Sequence, residues 1–457
     1  MKTSGLAVST VLALVGLMPA AAVGAMSAEQ RLRMLEEQLK AAQEQIQQLR
    51  REVEGQKQQA AEAPPPAPPA AAAPPTETAK VPSKPWAPPK WLERITLLAD
   101  FRFRVEGFYN QPEQDGEPVG SRTRERIRAR VGLMYAYSDE LSGAVRVATG
   151  NPNDPISQNV TLSNEFDPKD INLNWAYLQV APGETFGWRP GVLTVQVGKF
   201  PLPQFRIGEM VLDDDLAPEG LNQKVAVLGK PVGYLEQLNL YLLQWVFQEV
   251  SDSTDGWMIG GQIAPRLKLG DVEVEVGLGQ LWWYNADLIA QQLDSNSSLE
   301  NTNLLQTATV DGDSEILGYR SNFNQTQLTA LATFPNVVLG QPLRLGLDWV
   351  YNWGAATDQD FGVQGSVRLG MPKKRGDWAL SLLYQYLQQE AAISTFTWSD
   401  FGYGGTNVMG PVVAIDYQLF DPLTLTGRTY FVNYIDTPPG ASNATLVRLQ
   451  LDATLRW

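Results

Sequence analysis

From residue 92 to the end, apolar and polar side chains alternate with a period of two, segment after segment. Successive side chains of a β-strand point to opposite faces, so each such segment is a strand with one apolar and one polar face. In the first, Leu97, Ala99, Phe101, Phe103 and Val105 share a face and Asp100, Arg102, Arg104 and Glu106 share the other. In the next, Ile127, Ala129, Val131, Leu133 and Tyr135 oppose Arg122, Arg124, Arg126, Arg128 and Arg130. The last run sets Val447, Leu449, Leu451, Ala453 and Leu455 against Arg448, Gln450, Asp452, Thr454 and Arg456.

Two architectures accommodate this pattern. A soluble sandwich or β-helix buries the apolar face; a membrane barrel turns it to lipid and keeps the polar face in its lumen. Strands of ten or more residues match a tilted bilayer span. Aromatics gather near strand ends, at Trp282-Trp283-Tyr284, Trp349, Tyr351, Trp353 and Trp457, as interfacial girdles do. Stacked charges on one face could not sit in a dry core. The pattern predicts an all-β membrane barrel over 92–457 with sixteen antiparallel strands. They fall near 94–109, 121–137, 141–149, 169–181, 190–200, 222–230, 235–248, 255–265, 271–282, 316–335, 342–353, 359–370, 377–388, 408–420, 423–434 and 443–457. Long connections at 110–120, 150–168, 201–221, 283–315 and 389–407 alternate with tight turns such as Asp421-Pro422.

Three segments precede the barrel. Residues 1–25 read as a signal peptide: Lys2, an apolar run from Leu6 to Leu17, and small residues up to Ala25. Residues 26–57 carry a heptad seam of Leu32, Leu35, Leu39, Ala42, Ile46, Leu49 and Val53, predicting an α-helical coiled coil in the periplasm. Residues 58–91 are rich in Pro and Ala and predict an extended linker.

Composition excludes most enzyme chemistry. The 457 residues include no His and no Cys, which removes Ser-His-Asp and Cys-His systems, zinc motifs and disulfides. No GxSxG elbow or EF-hand spacing is present, so no catalytic residue, metal site or cofactor is expected. A formal net charge of −14 argues against a nucleic-acid partner.

The chemistry lies in the charges. Arg122, Arg124, Arg126, Arg128 and Arg130 share one strand face, and Arg102, Arg104 and Arg146 have the same parity on neighbouring strands. Guanidiniums stay charged and repel each other, so such a ladder needs water, anions or facing carboxylates. It either lines an aqueous pore as a positive wall or pairs with acidic neighbours as part of the barrel frame. The 201–221 loop supplies Asp213, Asp214, Asp215 and Glu219. It is either a solvated acidic loop or one folded into the lumen, where its carboxylates would face the arginines across a constriction.

An ordered set of motifs resembles the Gram-negative outer-membrane family of putative porins. It comprises Asp100-Phe101-Arg102-Phe103-Arg104-Val105-Glu106, the arginine strand Arg122–Gly132, and Arg146-Val147-Ala148-Thr149-Gly150 followed by Asn151-Pro152-Asn153-Asp154-Pro155. Trp175-Ala176-Tyr177, Gly198-Lys199-Phe200-Pro201 and Asp215-Leu216-Ala217-Pro218-Glu219-Gly220 follow, so the likeness concentrates in 95–222. The chain also looks distantly like phosphate-selective porins, although their lysine-rich inner cluster is not evident. The resemblance implies a diffusion channel in the outer membrane, a homotrimer in outer-membrane lipid, and recognition of the C-terminal strand by the barrel assembly machinery. Such strands commonly end in Phe, where this chain has Trp457. The expected function is passive passage of small hydrophilic solutes or ions through an arginine-lined lumen. The alternatives are a phosphate- or anion-selective channel, or a barrel anchor tethering the outer membrane to the periplasm through the coiled coil.

Overall fold

The computed structural model describes Lys40 and residues 91–110, 120–163, 165–310, 313–402 and 404–457. The expected signal peptide, coiled coil and linker lie outside the described residues, apart from Lys40 and Trp91.

The described strands, in chain order, are β1 Ile95–Tyr109, β2 Arg122–Ala136, β3 Leu141–Thr149, β4 Val160–Thr161, β5 Ile171–Val180, β6 Leu193–Lys199 and β7 Glu219–Ala226. They continue with β8 Leu235–Gln248, β9 Gly256–Leu269, β10 Val272–Tyr284, β11 Leu305–Val310, β12 Asp313–Tyr319 and β13 Phe323–Val338. The series ends with β14 Gln341–Asn352, β15 Phe361–Gly370, β16 Trp378–Leu387, β17 Val408–Phe420, β18 Leu423–Tyr434 and β19 Leu446–Arg456. Neighbours pair antiparallel, and β1 pairs with both β2 and β19, which closes the sheet. Sixteen of these strands form the wall. The two-residue β4 extends it beside β2, where β3 has already ended. β11 and β12 form a separate hairpin in the 285–322 connection, after the short helix α1, Asp287–Gln291. Full closure leaves no unpaired edge, the only way a sheet can span lipid.

The sequence pattern sets which way the wall faces. Along β2, Val131 and Leu133 are about half exposed on the outside while Arg128 is 8% exposed inside. Leu278, Leu382, Ile415 and Leu451 continue the outer apolar band on other strands. Trp349 stacks on Tyr351, and Tyr351 meets Trp353 edge to face with ring centroids 4.6 Å apart. Trp282 and Tyr284 face out, but Trp283 points inward and stacks on Phe396.

Most strand boundaries shift by a few residues from the sequence expectation, and two of the shifts have a clear cause. The segment expected to start a wall strand at 316 belongs to the hairpin strand β12, and β13 starts at Phe323. Period-2 alternation runs through both strands, so it could not mark the break between them. β7 starts at Glu219 rather than 222, because Gly220 continues the strand with φ +138°, a conformation glycine adopts readily. A Cβ there would lie 2.3 Å from the Gln244 carbonyl oxygen.

Candidate functional site: the charged wall and the inward loops

Strand register builds the charged wall. The β1–β2 pairing sets Asp100 opposite Arg130, Arg102 opposite Arg128, Arg104 opposite Arg126 and Glu106 opposite Arg124. The β1–β19 pairing adds Asp452 opposite Arg104 and Arg448 opposite Phe108. All the even-numbered residues among these face the lumen, so the expected arginines on β1 and β2 come together.

They form two ion-paired groups. In the first, Arg104 makes a two-pronged contact with Asp452, Nε to Oδ1 at 2.7 Å and Nη2 to Oδ2 at 2.8 Å. Its third nitrogen reaches Asp400 Oδ1 at 2.9 Å. Arg448 donates to the same oxygen at 2.8 Å and, through Nε, to Glu106 Oε1 at 2.9 Å. Arg124 Nε meets Glu106 Oε2 at 2.5 Å, and Arg126 lies 3.8 Å from that oxygen. Arg124 and Arg448 each lie over the Phe108 ring, 5.0 Å from its centroid. In the second group, Asp100 accepts from Arg128 at 3.2 Å and from Arg130 at 2.6 Å. Both arginines also lie within 3.6 Å of Asp215.

Arg102, Arg122 and Arg146 are held differently, and Arg126 has further partners. Arg102 donates to the Asn159 side chain, and Arg126 to Ser157 Oγ and the Asn159 carbonyl. Arg146 donates to Asn174 at 2.7 Å and lies over the Trp175 ring. Arg122 is exposed at the start of β2. Among the described residues, Arg102, Arg122 and Arg146 make no ion pair.

The expected acidic loop, residues 200–218, crosses the lumen. Phe200 and Leu212 are buried against β8 and β10. The Phe205 backbone exchanges two hydrogen bonds of 2.9 Å with the Gln262 side chain on β9. A Cβ on Gly208 would sit 2.2 Å from Gln364 Oε1 of β15, so glycine lets the chain lie against the far wall. Met210 then packs on Val350, Leu387 and Ala391.

The four expected acids separate. Asp215 meets the arginine wall. Asp213 is buried, accepting 2.8 Å bonds from the Asp215 and Ser399 backbone N–H groups. Asp214 is exposed and pairs with Arg206 on its own loop at 2.8 Å. Glu219 opens β7 as a wall residue and pairs with Lys199 at 2.8 Å. Burial pushes the Asp213 carboxyl well above the ordinary range, despite its two N–H donors. Glu209 on the same loop is pushed to about 8 by burial and by nearby Asp214 and Asp400.

A second inward loop, residues 388–407, was not assigned a role by the sequence. Its Asp400 bridges Arg104 and Arg448. Burial alone would raise this carboxyl, but the two guanidiniums hold it well below the usual carboxylate range. Asp452, Glu106 and Arg448 could have been found from inward parity plus the first-to-last closure of a barrel. Asp400 had no local signal, since its loop shows no alternation.

A family model described as "Putative porin" matches residues 118–312 and 289–453. No curated protein matches the chain significantly. Among solved structures, the high-pH structure of Pseudomonas putida OprB is similar over 80% of this chain and 96% of its own, at 10% identity and a TM-score of 0.51. Salmonella typhi OmpF in complex with daunomycin covers 80% of this chain and 99% of its own, at 10% identity and a TM-score of 0.46. The OprB likeness shows the barrel fold.

Proposed function

The chain belongs to the putative porin family and is an outer-membrane channel, and from that premise we propose that it passes small hydrophilic solutes or ions passively, with a preference for anions. In this reading the constriction lies where the 200–218 loop crosses the lumen beside the charged wall. The observation that carries this reading is the meeting of Asp215, on a loop crossing the lumen, with Arg128 and Arg130 on the wall. A loop folded inside a barrel narrows it by steric bulk and places carboxylates across from guanidiniums, so solutes are sorted by size and charge.

The sign of the preference follows from the pairing. Around the wall, the carboxylates of Asp100, Glu106, Asp215, Asp400 and Asp452 are outnumbered by guanidiniums, and Arg102 and Arg146 make no ion pair among the described residues. Only charge close to the constriction filters ions strongly, because salt screens charge over ~8 Å at physiological ionic strength. The acidic net charge of the whole chain therefore carries little weight. A homotrimer is the assembly we propose on the family resemblance, tested by the mass of the purified protein in detergent.

Single-channel recording in a planar bilayer under a salt gradient tests the function. The expected result is steady conductance steps and a reversal potential of the sign for anion preference. Arg102→Gln with Arg146→Gln should shift that potential toward zero without orphaning a carboxylate. Folded protein that gives no steps would overturn the open channel, and a cation-selective potential would overturn the role of the wall.

A further inference from the structure

At the opposite end of β6 and β7 from the crossing loop, the barrel holds a second cavity, of about 510 Å³. It lies between the 181–192 connection, the end of β7, the start of β8 and the 227–234 turn that joins those two strands. Its size falls in the ~300–1,000 Å³ range of small-molecule sites. Three cations line it: Arg189 from the connection, Lys224 from β7 and Lys230 from the turn. Among its described lining residues Glu236 is the one carboxylate, and it already faces Lys268 at 3.9 Å.

The fold places two of these cations. Arg189 Nη2 donates to the Ala226 carbonyl, and Gly229 leaves room for the side chain, since a Cβ there would lie 3.1 Å from Arg189 Cδ and Nε. Lys224 Nζ lies over the inward Tyr241 ring, 5.8 Å from its centroid, which sets this cation on the lumen side of the wall. Arg189, Lys224 and Lys230 make no ion pair among the described residues. Like charges gathered round one cavity repel, and a cleft lined by one sign of charge concentrates counter-ions. The Arg189 nitrogens not spent on Ala226 remain available to carboxylate or phosphate oxygens. We propose that this cavity binds a small organic anion carrying two or more oxyanion groups, one on Arg189 and another on Lys224 and Lys230.

Size and spacing select this class. The cavity is far larger than a halide ion, and cations from three separate segments suit charges spread along one molecule. A monocarboxylate answers only one of them, a neutral solute answers none, and a cation is repelled. Gln237 and Asn239 on the same lining add amide donors for further oxygens. A solute that has passed the crossing loop meets this cavity before it leaves by the tight-turn end. That role as a staging post rests on the channel reading, whereas binding itself does not.

The test reads binding rather than current, so its failure is separable from failure of the channel reading. Folded full-length protein in an uncharged detergent at low salt is titrated calorimetrically with citrate and with glucose 6-phosphate, and acetate and glucose are run in parallel. The expected result is saturable binding of citrate, glucose 6-phosphate or both, tighter than acetate, with no binding of glucose. Which of the two binds tells a polycarboxylate from a phosphate ester. Arg189→Gln should weaken binding about tenfold or more, the worth of hydrogen bonds between charged groups, and Lys224→Gln about two- to fivefold. Arg375→Gln, which removes a cation from the tight turn after β15, outside the cavity, should leave it unchanged. No saturable binding of either polyanion, acetate binding as tightly, or an unaltered affinity in folded Lys224→Gln protein would each overturn the proposal. A protein that binds citrate yet passes no current would keep this proposal and end the channel one; one that conducts without binding would do the reverse.

Discussion

The two halves of the lumen solve one problem in opposite ways. Along β1, β2 and β19, inward positions are filled by arginines and by a smaller number of carboxylates that pair with them across strands. Along β8, β9 and β10, inward positions carry Tyr241, Leu243, Trp245, Met258 and Leu281, which bury against Phe200 and Leu212 of the crossing loop. The loop is therefore attached on one side by apolar packing and on the other by Asp215. Apolar burial tolerates small shifts and needs no partner-by-partner match. Buried ion pairs demand geometry, and breaking one leaves an uncompensated charge.

The largest effect should come from breaking the charged side. Arg448→Met takes one guanidinium from each of Glu106 and Asp400, leaving them Arg124 and Arg104, and should cost up to about 3–5 kcal/mol, read as a lower urea midpoint for loss of the folded barrel. A change under 1 kcal/mol would mean that lumen water already screens the group. On the apolar side, Leu243→Ala at a 1% exposed position should cost about 2–5 kcal/mol in the same assay, with ion selectivity unmoved. A shift of reversal potential in that variant would erase the division between the two halves.

Acidity should affect the loop between them. The folded Glu209 carboxyl titrates above its unfolded value, so the native state holds more protons from about pH 4.3 upward to about 8. Stability should fall as pH rises through that window, by no more than about 1.4 kcal/mol per pH unit for one group. Glu209→Gln should flatten the slope, and hydrogen exchange along 200–218 is the local readout. The smallest effect is expected at the exposed Lys199–Glu219 pair, where Lys199→Ala should change stability by less than about 1 kcal/mol.

The division between the halves also marks how far the sequence could be read. Alternation located the wall strands because its cause, lipid outside and water or charge inside, acts on each strand independently. It also put Arg102 to Arg130 on the inner face. It could not say which arginines would be paired, because that depends on β19 returning beside β1 and on Asp400 entering from a loop. Hydrophobic inward residues such as Trp245 and Met258 break the polar-inside rule, and only the crossing loop explains them. Glu219 was misplaced because Pro218 and Gly220 signal a turn locally, whereas Gly220 serves a close strand contact.

Closure has a consequence in time. Arg104 and Asp452 are 348 residues apart, and Arg448 and Glu106 are 342. A chain delivered from its N-terminus exposes half of each pair long before the other half exists. The last strand therefore brings both the final backbone ladder and the counter-charges that the first strand lacks. Contacts of such separation are slow to form, because the whole intervening chain must be ordered first. The seam is thus the contact expected to close last, and its register is set by charge as well as by the ladder: a slip of one residue between β1 and β19 would turn Arg448 and Asp452 to the lipid and take from Arg104 and Glu106 their partners on β19.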